Sequence, residues 1–381
     1  MVLSFIRIKF QIIIPFIFLL FSCNNVKVKN NSDSYTEIKN KYARLFKIET
    51  SRKLKKLSVF DVNGNLKENY YLLNKSVKKG DTFNNSVFIK TPVKKVVCLS
   101  TTHIAFIDFL NETEKIFAVS GTKYIFNKNL RKQIKKGKVK DIGYENSLDF
   151  ETILSLKPDL VTVYDINGSI SPTINKLKQY HIPVVQVNEY LEPSVLGQAE
   201  WLKFFAAFFE KDKEATQKFN IIEKKYLQFK KMTDTIKQRP TILLNMPWKG
   251  IWYIPGGKSN IAQLIKDAGG NYLWANTEET HNYALNIEEV FEKAQNAVFW
   301  LNPGQAKSIN NVTATDVRLK KFNAVNTGLI FNRNKRLSTD GGNDYMESGT
   351  LRPDLILKDL IQILHPELLK NDSLYYYRKL R

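Results

Sequence analysis

The chain has 381 residues, with 58 Lys plus Arg against 37 Asp plus Glu, and 43% hydrophobic and 12% aromatic residues. This length allows two domains with real cores and the composition excludes a disordered chain, so the formal charge of +21 is carried on folded surfaces. Two cysteines exclude a disulfide framework, and four dispersed histidines argue against a protein-built zinc site.

Residues 1–22 read as an export signal. Arg7 and Lys9 supply a positive end, and Phe10 to Phe21 is apolar except for Gln11, a run short of the about 20 residues that cross a bilayer. The run ends Leu20-Phe21-Ser22-Cys23, which resembles the bacterial lipobox, where cleavage leaves Cys23 as the lipid-modified first residue on a membrane. Residues 23–40, rich in Asn, Lys and Ser without periodicity, are expected to form a mobile tether. Residues 41–91 are β-rich, and Asn63-Gly64 is a turn signal, so a β-hairpin extension is expected there.

From Pro92 onward, apolar strands alternate with helical stretches, which predicts an α/β fold built on mostly parallel sheets. Strands are expected near 94–100, 115–120, 160–165, 183–188, 241–246, 251–254, 296–301 and 328–332. Cys98 falls within the first of these as a small core residue. An internal echo divides this region. Asp149-Phe150-Glu151-Thr152-Ile153-Leu154 leading to Asp159-Leu160-Val161 matches Asn286-Ile287-Glu288-Glu289-Val290-Phe291 leading to Asn296-Ala297-Val298. A second echo pairs Ser100-Thr101-Thr102-His103-Ile104-Ala105 with Gly257-Lys258-Ser259-Asn260-Ile261-Ala262. Two similar Rossmann-like βα lobes follow, at 92–195 and 239–381, with the Lys-rich stretch Asn127 to Lys140 as extra length in the first. Between them, 196–238 carries Leu202, Phe205, Phe209, Phe219, Ile222 and Tyr226 at helical spacing, which predicts one long stiff helix joining the lobes.

Catalytic apparatus is absent from the pattern. Gly256-Gly257-Lys258-Ser259 invites a phosphate-loop reading, but Trp252 stands where that motif requires Gly, leaving a Gly-rich strand-to-helix turn. No nucleophile with a base in reach can be proposed, so an enzyme is not expected. What concentrates at predicted strand ends is aromatic: Tyr124, Tyr144 and Tyr164 in the first half, and Trp248, Trp252, Tyr253, Tyr283 and Tyr345 in the second. Open α/β sheets bind ligands beyond the carboxyl ends of their strands, so two such rims favour a bulky, flat or partly aromatic ligand. Pro247-Trp248-Lys249-Gly250, a turn after a strand, gives Trp248 the clearest placement.

These segments resemble the helical-backbone (class III) substrate-binding proteins of bacterial ABC importers for ferric siderophores, haem and cobalamin. Val96-Val97-Cys98-Leu99-Ser100-Thr101-Thr102-His103, Leu148-Asp149-Phe150-Glu151 through Pro158-Asp159-Leu160-Val161, and Tyr253-Ile254-Pro255-Gly256-Gly257-Lys258-Ser259 carry the resemblance, which covers about 92–368. The basic N-terminal hairpin and the segment from Asp340-Gly341-Gly342-Asn343-Asp344-Tyr345 to Arg352-Pro353-Asp354 resemble a lipoprotein branch of that family. The resemblance implies a periplasmic, lipid-anchored monomer that captures a metal chelate without a cofactor of its own and delivers it to an ABC permease dimer with its ATPase subunits. It implies docking carboxylates on the permease side, which fall on Glu151 and Glu288. Each is the second helical residue after an Asx cap, Asp149 or Asn286, where an acid also favours the helix dipole. The implied ligand contacts are His103, Tyr124, Tyr144, Tyr164, Trp248, Trp252, Tyr253 and Tyr345, with Arg352 meeting an anion. His103 departs from the small or acidic residue of that turn; it either meets haem iron or is a hydrogen-bonded helix-start residue.

Ferric siderophore is the first expectation for the cargo, with cobalamin or haem next, because an aromatic cleft accommodates all of them. A non-transport scavenger of haem or another chelate is the remaining alternative. The matched glutamates argue against it. Nucleic-acid binding is not expected of an exported chain lacking a basic-aromatic recognition module.

Overall fold

The computed structural model describes residues 35–52, 54–73, 87–144, 147–164, 171–370 and 372–381. The signal segment, Cys23 and the tether as far as residue 34 lie outside the described residues. The β-rich extension is larger than a hairpin. β1 (Thr36–Ile38), β2 (Phe46–Thr50), β3 (Leu54–Phe60), β4 (Leu66–Leu73) and β5 (Val87–Lys90) form one sheet in chain order, antiparallel except for the β4–β5 pair. The expected turn joins β3 to β4: Gly64 has φ +82°, and Asp61 accepts from the Asn63 and Asn65 N–H groups at 2.9 Å. Residues 36–38, expected in the tether, are β1. The reason for a full sheet is cover for its apolar face. Phe46, Leu57 and Val59 are buried in one cluster with Trp201, Phe204 and Phe208, and the Phe46 ring lies 4.9 Å from Trp201.

All eight expected strands are present in the two lobes. The first lobe contains β6 (Val96–Cys98), α1 (Thr101–Phe109), β7 (Ile116–Val119), α2 (Lys128–Lys135), β8 (Lys140–Asp141), α3 (Phe150–Leu156), β9 (Leu160–Val163), α4 (Ser171–Gln179) and β10 (Val184–Gln186). Its sheet is parallel throughout, in the order β10-β9-β6-β7-β8. The linking segment follows as α5 (Val195–Phe209) and α6 (Asp212–Met232). The second lobe contains β11 (Thr241–Leu244), β12 (Pro247–Trp248), β13 (Ile251–Pro255), α7 (Asn260–Asp267), β14 (Asn271–Tyr272), β15 (Asn282–Asn286), α8 (Ile287–Ala294), β16 (Phe299–Leu301), α9 (Ile309–Thr313), α10 (Asn323–Asn326), β17 (Ile330–Asn332), α11 (Asp344–Ser348), α12 (Pro353–Leu364) and β18 (Arg378–Lys379).

The second lobe's main sheet runs β14-β11-β16-β17-β18, and β12-β13-β15 forms a separate antiparallel sheet. The internal echo is structural. β10-β9-β6-β7 and β17-β16-β11-β14 have the same order and are parallel, and the echoed capping segments lead into β9 and β16. In the second echo the equivalence is between the caps, Ser100 for α1 and Ser259 for α7, which moves the sequence register by two. The extra length in the first lobe is α2 with β8.

The helical connection is present, divided at Glu210. That residue adopts φ +59° and caps α5, so the chain turns back before α6. α5 is buried between the first lobe and the extension. Its Glu200 carboxylate accepts from the N–H groups of Lys41, Tyr42 and Ala43 at 2.8–3.0 Å and from Lys203 Nζ at 2.5 Å. Glu192, just before α5, accepts from Arg44 N, Leu45 N and Trp201 Nε1, each at 2.9 Å at its nearest oxygen. These two buried carboxylates tie the extension to the linker. α6 is the helix that joins the lobes: Ala215, Phe219 and Ile222 lie in the first lobe's core and Tyr226 in the second's, over a length of about 30 Å.

A second connection crosses between the lobes through residues 333–352. Glu347 of α11, 3% exposed, accepts from Phe126 N at 2.7 Å and Asn127 N at 3.0 Å. Arg131 of α2 donates to Ser338 Oγ, Thr339 Oγ1 and Asp340. Leu351 is buried in the first lobe's core cluster. Gly342 runs so close to the first lobe that a Cβ there would lie 2.3 Å from the Ile125 carbonyl oxygen.

Candidate functional site

Parallel strands present their carboxyl ends, and the turns beyond them, to one side of each lobe. Beyond β6, Ser100 caps α1 and Thr102 stands in its first turn. The Thr102 hydroxyl donates to Glu189 Oε1 at 2.6 Å. Glu189 follows β10, is 3% exposed, and its Oε2 has no partner among the described residues. Burial pushes its carboxyl up to about 7. Beyond β17, the guanidinium of Arg333 lies 4.8 Å from the centroid of the Tyr345 ring, and among the described residues no carboxylate pairs with it. Between these groups is a cavity of ≈ 290 Å³, bordered by Thr102 of the first lobe, Gln198 of the linker, and Asn260, Arg333, Tyr345 and Met346 of the second. The volume is near the lower end for a small-molecule site. Its chemistry is a mostly apolar wall with an unpaired guanidinium, suited to an anionic, partly aromatic ligand.

Of the expected ligand residues, Tyr345 borders this cavity. Tyr124 and Tyr144, beyond β7 and β8, form a separate exposed pair with ring centroids 5.6 Å apart. Asp141 shapes their turn by accepting from Thr122 N at 2.9 Å and Thr122 Oγ1 at 2.6 Å. Gly121 at φ +68° is required there, since a Cβ would lie 2.8 Å from the Tyr124 ring. Tyr164 is partly buried at the end of β9. Trp248 and Tyr253 project from the same face of β12–β13 with Ile251, and are 63% and 40% exposed. No ring contact among the described residues joins this group to the tyrosine pair.

Three expected contacts are placed elsewhere. His103 is completely buried: its Nδ1 is 2.9 Å from Thr162 Oγ1, its ring stands 5.6 Å from Phe205, and burial pushes it down to about 3, so it stays neutral. It is the hydrogen-bonded helix-start residue. Trp252 points to the opposite face of β13 from Tyr253, is 0% exposed, donates from Nε1 to the Leu244 carbonyl at 2.9 Å and packs on Trp300. The period-two alternation of Ile251, Trp252, Tyr253 and Ile254 carried that signal. Arg352 is engaged by Asp354 through two hydrogen bonds of 2.8 Å, and Asp354 is 0% exposed. Arg333 is the available guanidinium instead. A cation immediately after an apolar strand is the sequence signal that would have found it.

Glu151 and Glu288 occupy matched positions. Asp149 caps α3 by accepting from Thr152 N at 3.0 Å, and Asn286 caps α8 by accepting from Glu289 N at 2.8 Å. Both glutamates are exposed. Glu288 accepts from Arg318, which Asp316 also holds; Glu151 has no ion pair among the described residues.

A family model described as "Periplasmic binding protein" matches residues 96–337. An uncharacterised lipoprotein of Methanocaldococcus jannaschii is 28% identical over 313 residues, covering 79% of this chain and 72% of the relative. An uncharacterised protein of the same organism is 27% identical over 321 residues, covering 81% of this chain and 93% of its own length. Among solved structures, Helicobacter pylori CeuE in a Ni-His complex superposes with a TM-score of 0.58 at 14% identity, covering 84% of this chain and 91% of that one. A periplasmic heme-binding protein from Pseudomonas aeruginosa also gives 0.58 at 14% identity, covering 76% and 98%. At such identities the structural likeness shows the two-lobed fold.

Proposed function

The chain belongs to the periplasmic binding protein family, and on that premise we propose that it is the lipid-anchored cargo receptor of an ABC importer, capturing a ferric siderophore between its lobes. The observation that carries this reading is the inter-lobe cavity with Arg333 unpaired over Tyr345. A guanidinium without a carboxylate favours an anionic chelate, and the exposed Tyr124, Tyr144, Trp248 and Tyr253 offer faces to its aromatic or apolar parts. Tyr164 flanks the first-lobe rim. Cobalamin and haem are the alternative cargoes, the latter in keeping with the structurally similar heme-binding protein from Pseudomonas aeruginosa. Burial of His103 removes the imidazole that would have favoured haem.

Lipidation at Cys23 tethers the receptor to a bacterial membrane in the periplasm, and Glu151 and Glu288 present one carboxylate per lobe to the permease. A scavenger without a permease has no use for that pair.

The test is native mass spectrometry with tryptophan quenching on the chain from residue 24, titrated with ferric siderophores, haem and cobalamin. Saturable one-to-one binding of a ferric siderophore is expected; binding of haem or cobalamin alone transfers the reading to that cargo, and binding of none overturns it. In cells, Glu151→Ala with Glu288→Ala should leave cargo affinity intact and reduce uptake. Unchanged uptake in the double variant removes the docking role.

A further inference from the structure

The stretch from Lys123 to Lys140 holds seven lysines and Arg131 and not one acidic residue. α2 is built from its centre. Leu130 is 0% exposed and Ile134 is partly buried, so this side of the helix faces the first lobe's core. Lys128, Lys132, Lys135 and Lys136 fall at the i, i+4, i+7 and i+8 positions of the opposite side and are all exposed. Lys138 and Lys140 continue the exposed basic surface beyond Gly137.

Nothing local repays this arrangement. The first turn of α2 contains no acid, and Lys128 sits at the positive end of the helix dipole. The pairs Lys128–Lys132 and Lys132–Lys136 are like-charged neighbours, each unfavourable by about 0.2–0.5 kcal/mol. Among the described residues, no carboxylate pairs with any of the seven lysines; Arg131 alone is paired, with Asp340. Elsewhere, Lys218, Lys211 and Lys178 have acidic partners within 2.7 Å. The self-repulsion of α2 points to an anionic surface outside the chain.

We propose that the exposed face of α2, with Lys138 and Lys140, is a membrane-contact surface that binds anionic phospholipid headgroups. The chemistry is ammonium only, without the arginine forks that read individual phosphates or aromatics that stack on bases, which suits a diffuse negative plane. The apolar side of α2 is held in the core, so the contact is electrostatic and without insertion. The choice of a bilayer as the polyanion rests on the lipid-anchor reading of Cys23. A lipid anchor keeps the folded chain close to the headgroups, so that a weak electrostatic contact acts at high effective concentration.

The test is co-sedimentation of the unlipidated chain from residue 24, whose residues 35–381 form one compact unit, with phosphatidylcholine vesicles with and without phosphatidylglycerol. Binding to the anionic vesicles alone is expected, weakening steeply as salt rises from about 0.05 to 0.2 M. Lys128→Gln, Lys132→Gln, Lys135→Gln and Lys136→Gln together should lower partitioning by a factor on the order of 1,000 at low salt. A control of equal charge change, Lys224→Gln, Lys225→Gln, Lys231→Gln and Lys237→Gln, should change it less than about threefold. Equal loss in both variants assigns the effect to net charge and overturns the proposal, as does parental binding by the α2 variant or no preference for anionic vesicles. The intact mass of the protein purified from membranes tests lipidation at Cys23 separately, so failure of the patch and failure of the anchor are distinguishable.

Discussion

Arg333 and Arg352 are the same side chain with opposite surroundings. Arg352 holds Asp354, a carboxylate with 0% exposure, in a two-point clamp. Removing one partner of such a pair strands a buried charge, so Arg352→Gln should cost about 3–5 kcal/mol of stability by urea unfolding and leave cargo affinity unchanged. Arg333 has no such partner, so Arg333→Gln should leave stability nearly unchanged and weaken binding of an anionic ferric chelate roughly 10- to 100-fold by tryptophan quenching. The reverse pattern would return Arg352 to the site. The sequence marks Arg333 as a cation directly after an apolar strand and Arg352 as a residue two places before an acid, but not which of the two reaches the cavity. The fate of each is decided by whether Asp354 or the cavity lies next to it. His103 was legible as a helix-start residue, but not its burial. Its neighbours Phe205 and Thr162 arrive from distant parts of the chain.

α11 decides how the lobes are held. Burial pushes the Glu347 carboxyl from its ordinary 4.5 up to about 8, against the lowering effect of the Phe126 and Asn127 N–H groups. Between those values the folded protein binds more protons than the unfolded chain, so this group's contribution to stability falls as pH rises from about 4.5 to about 8. Glu347→Gln should remove up to about 1.4 kcal/mol per pH unit of that decline, read from urea unfolding at several pH values across the window. An unchanged slope would mean that Glu347 is not the titrating group. Glu347→Ala should also leave the Phe126 and Asn127 N–H groups unsatisfied, seen as faster amide exchange at those residues. The elements themselves were largely written in the pattern: eight strands from apolar runs, and two helix caps from Asp149 and Asn286. The division of the linker at Glu210 was not legible, because neither Gly nor Pro marks it. The turn exists because α5 is buried between two layers, and α6 must start again to cross to the second lobe.

For the whole molecule, α6 and the 333–352 crossing hold the lobes at two places, and a body fixed twice cannot hinge widely. Spin labels at Gln179→Cys and Lys320→Cys, one on each lobe, should therefore report a distance change of less than about 2 Å on cargo binding. A larger change would show that the crossing releases. Cys98 is 1% exposed and its thiol is pushed up to about 12 by burial, so it should not compete for the label. By itself the sequence determined the α/β class, the duplicated lobes, the helical joint, and the family through an ensemble of short segments. These follow from periodicity, capping and local turn chemistry, which act over a few residues. Tertiary structure alone decided that the extension is a full sheet sealed to α5, that His103 is buried against Phe205 and Thr162, and that Arg333 borders a cavity shared by both lobes. Those outcomes depend on side chains that meet across dozens to hundreds of residues of chain, from His103 with Thr162 to Arg333 with Thr102. Local pattern does not encode such meetings, because burial and charge pairing are set by neighbours that only folding brings together.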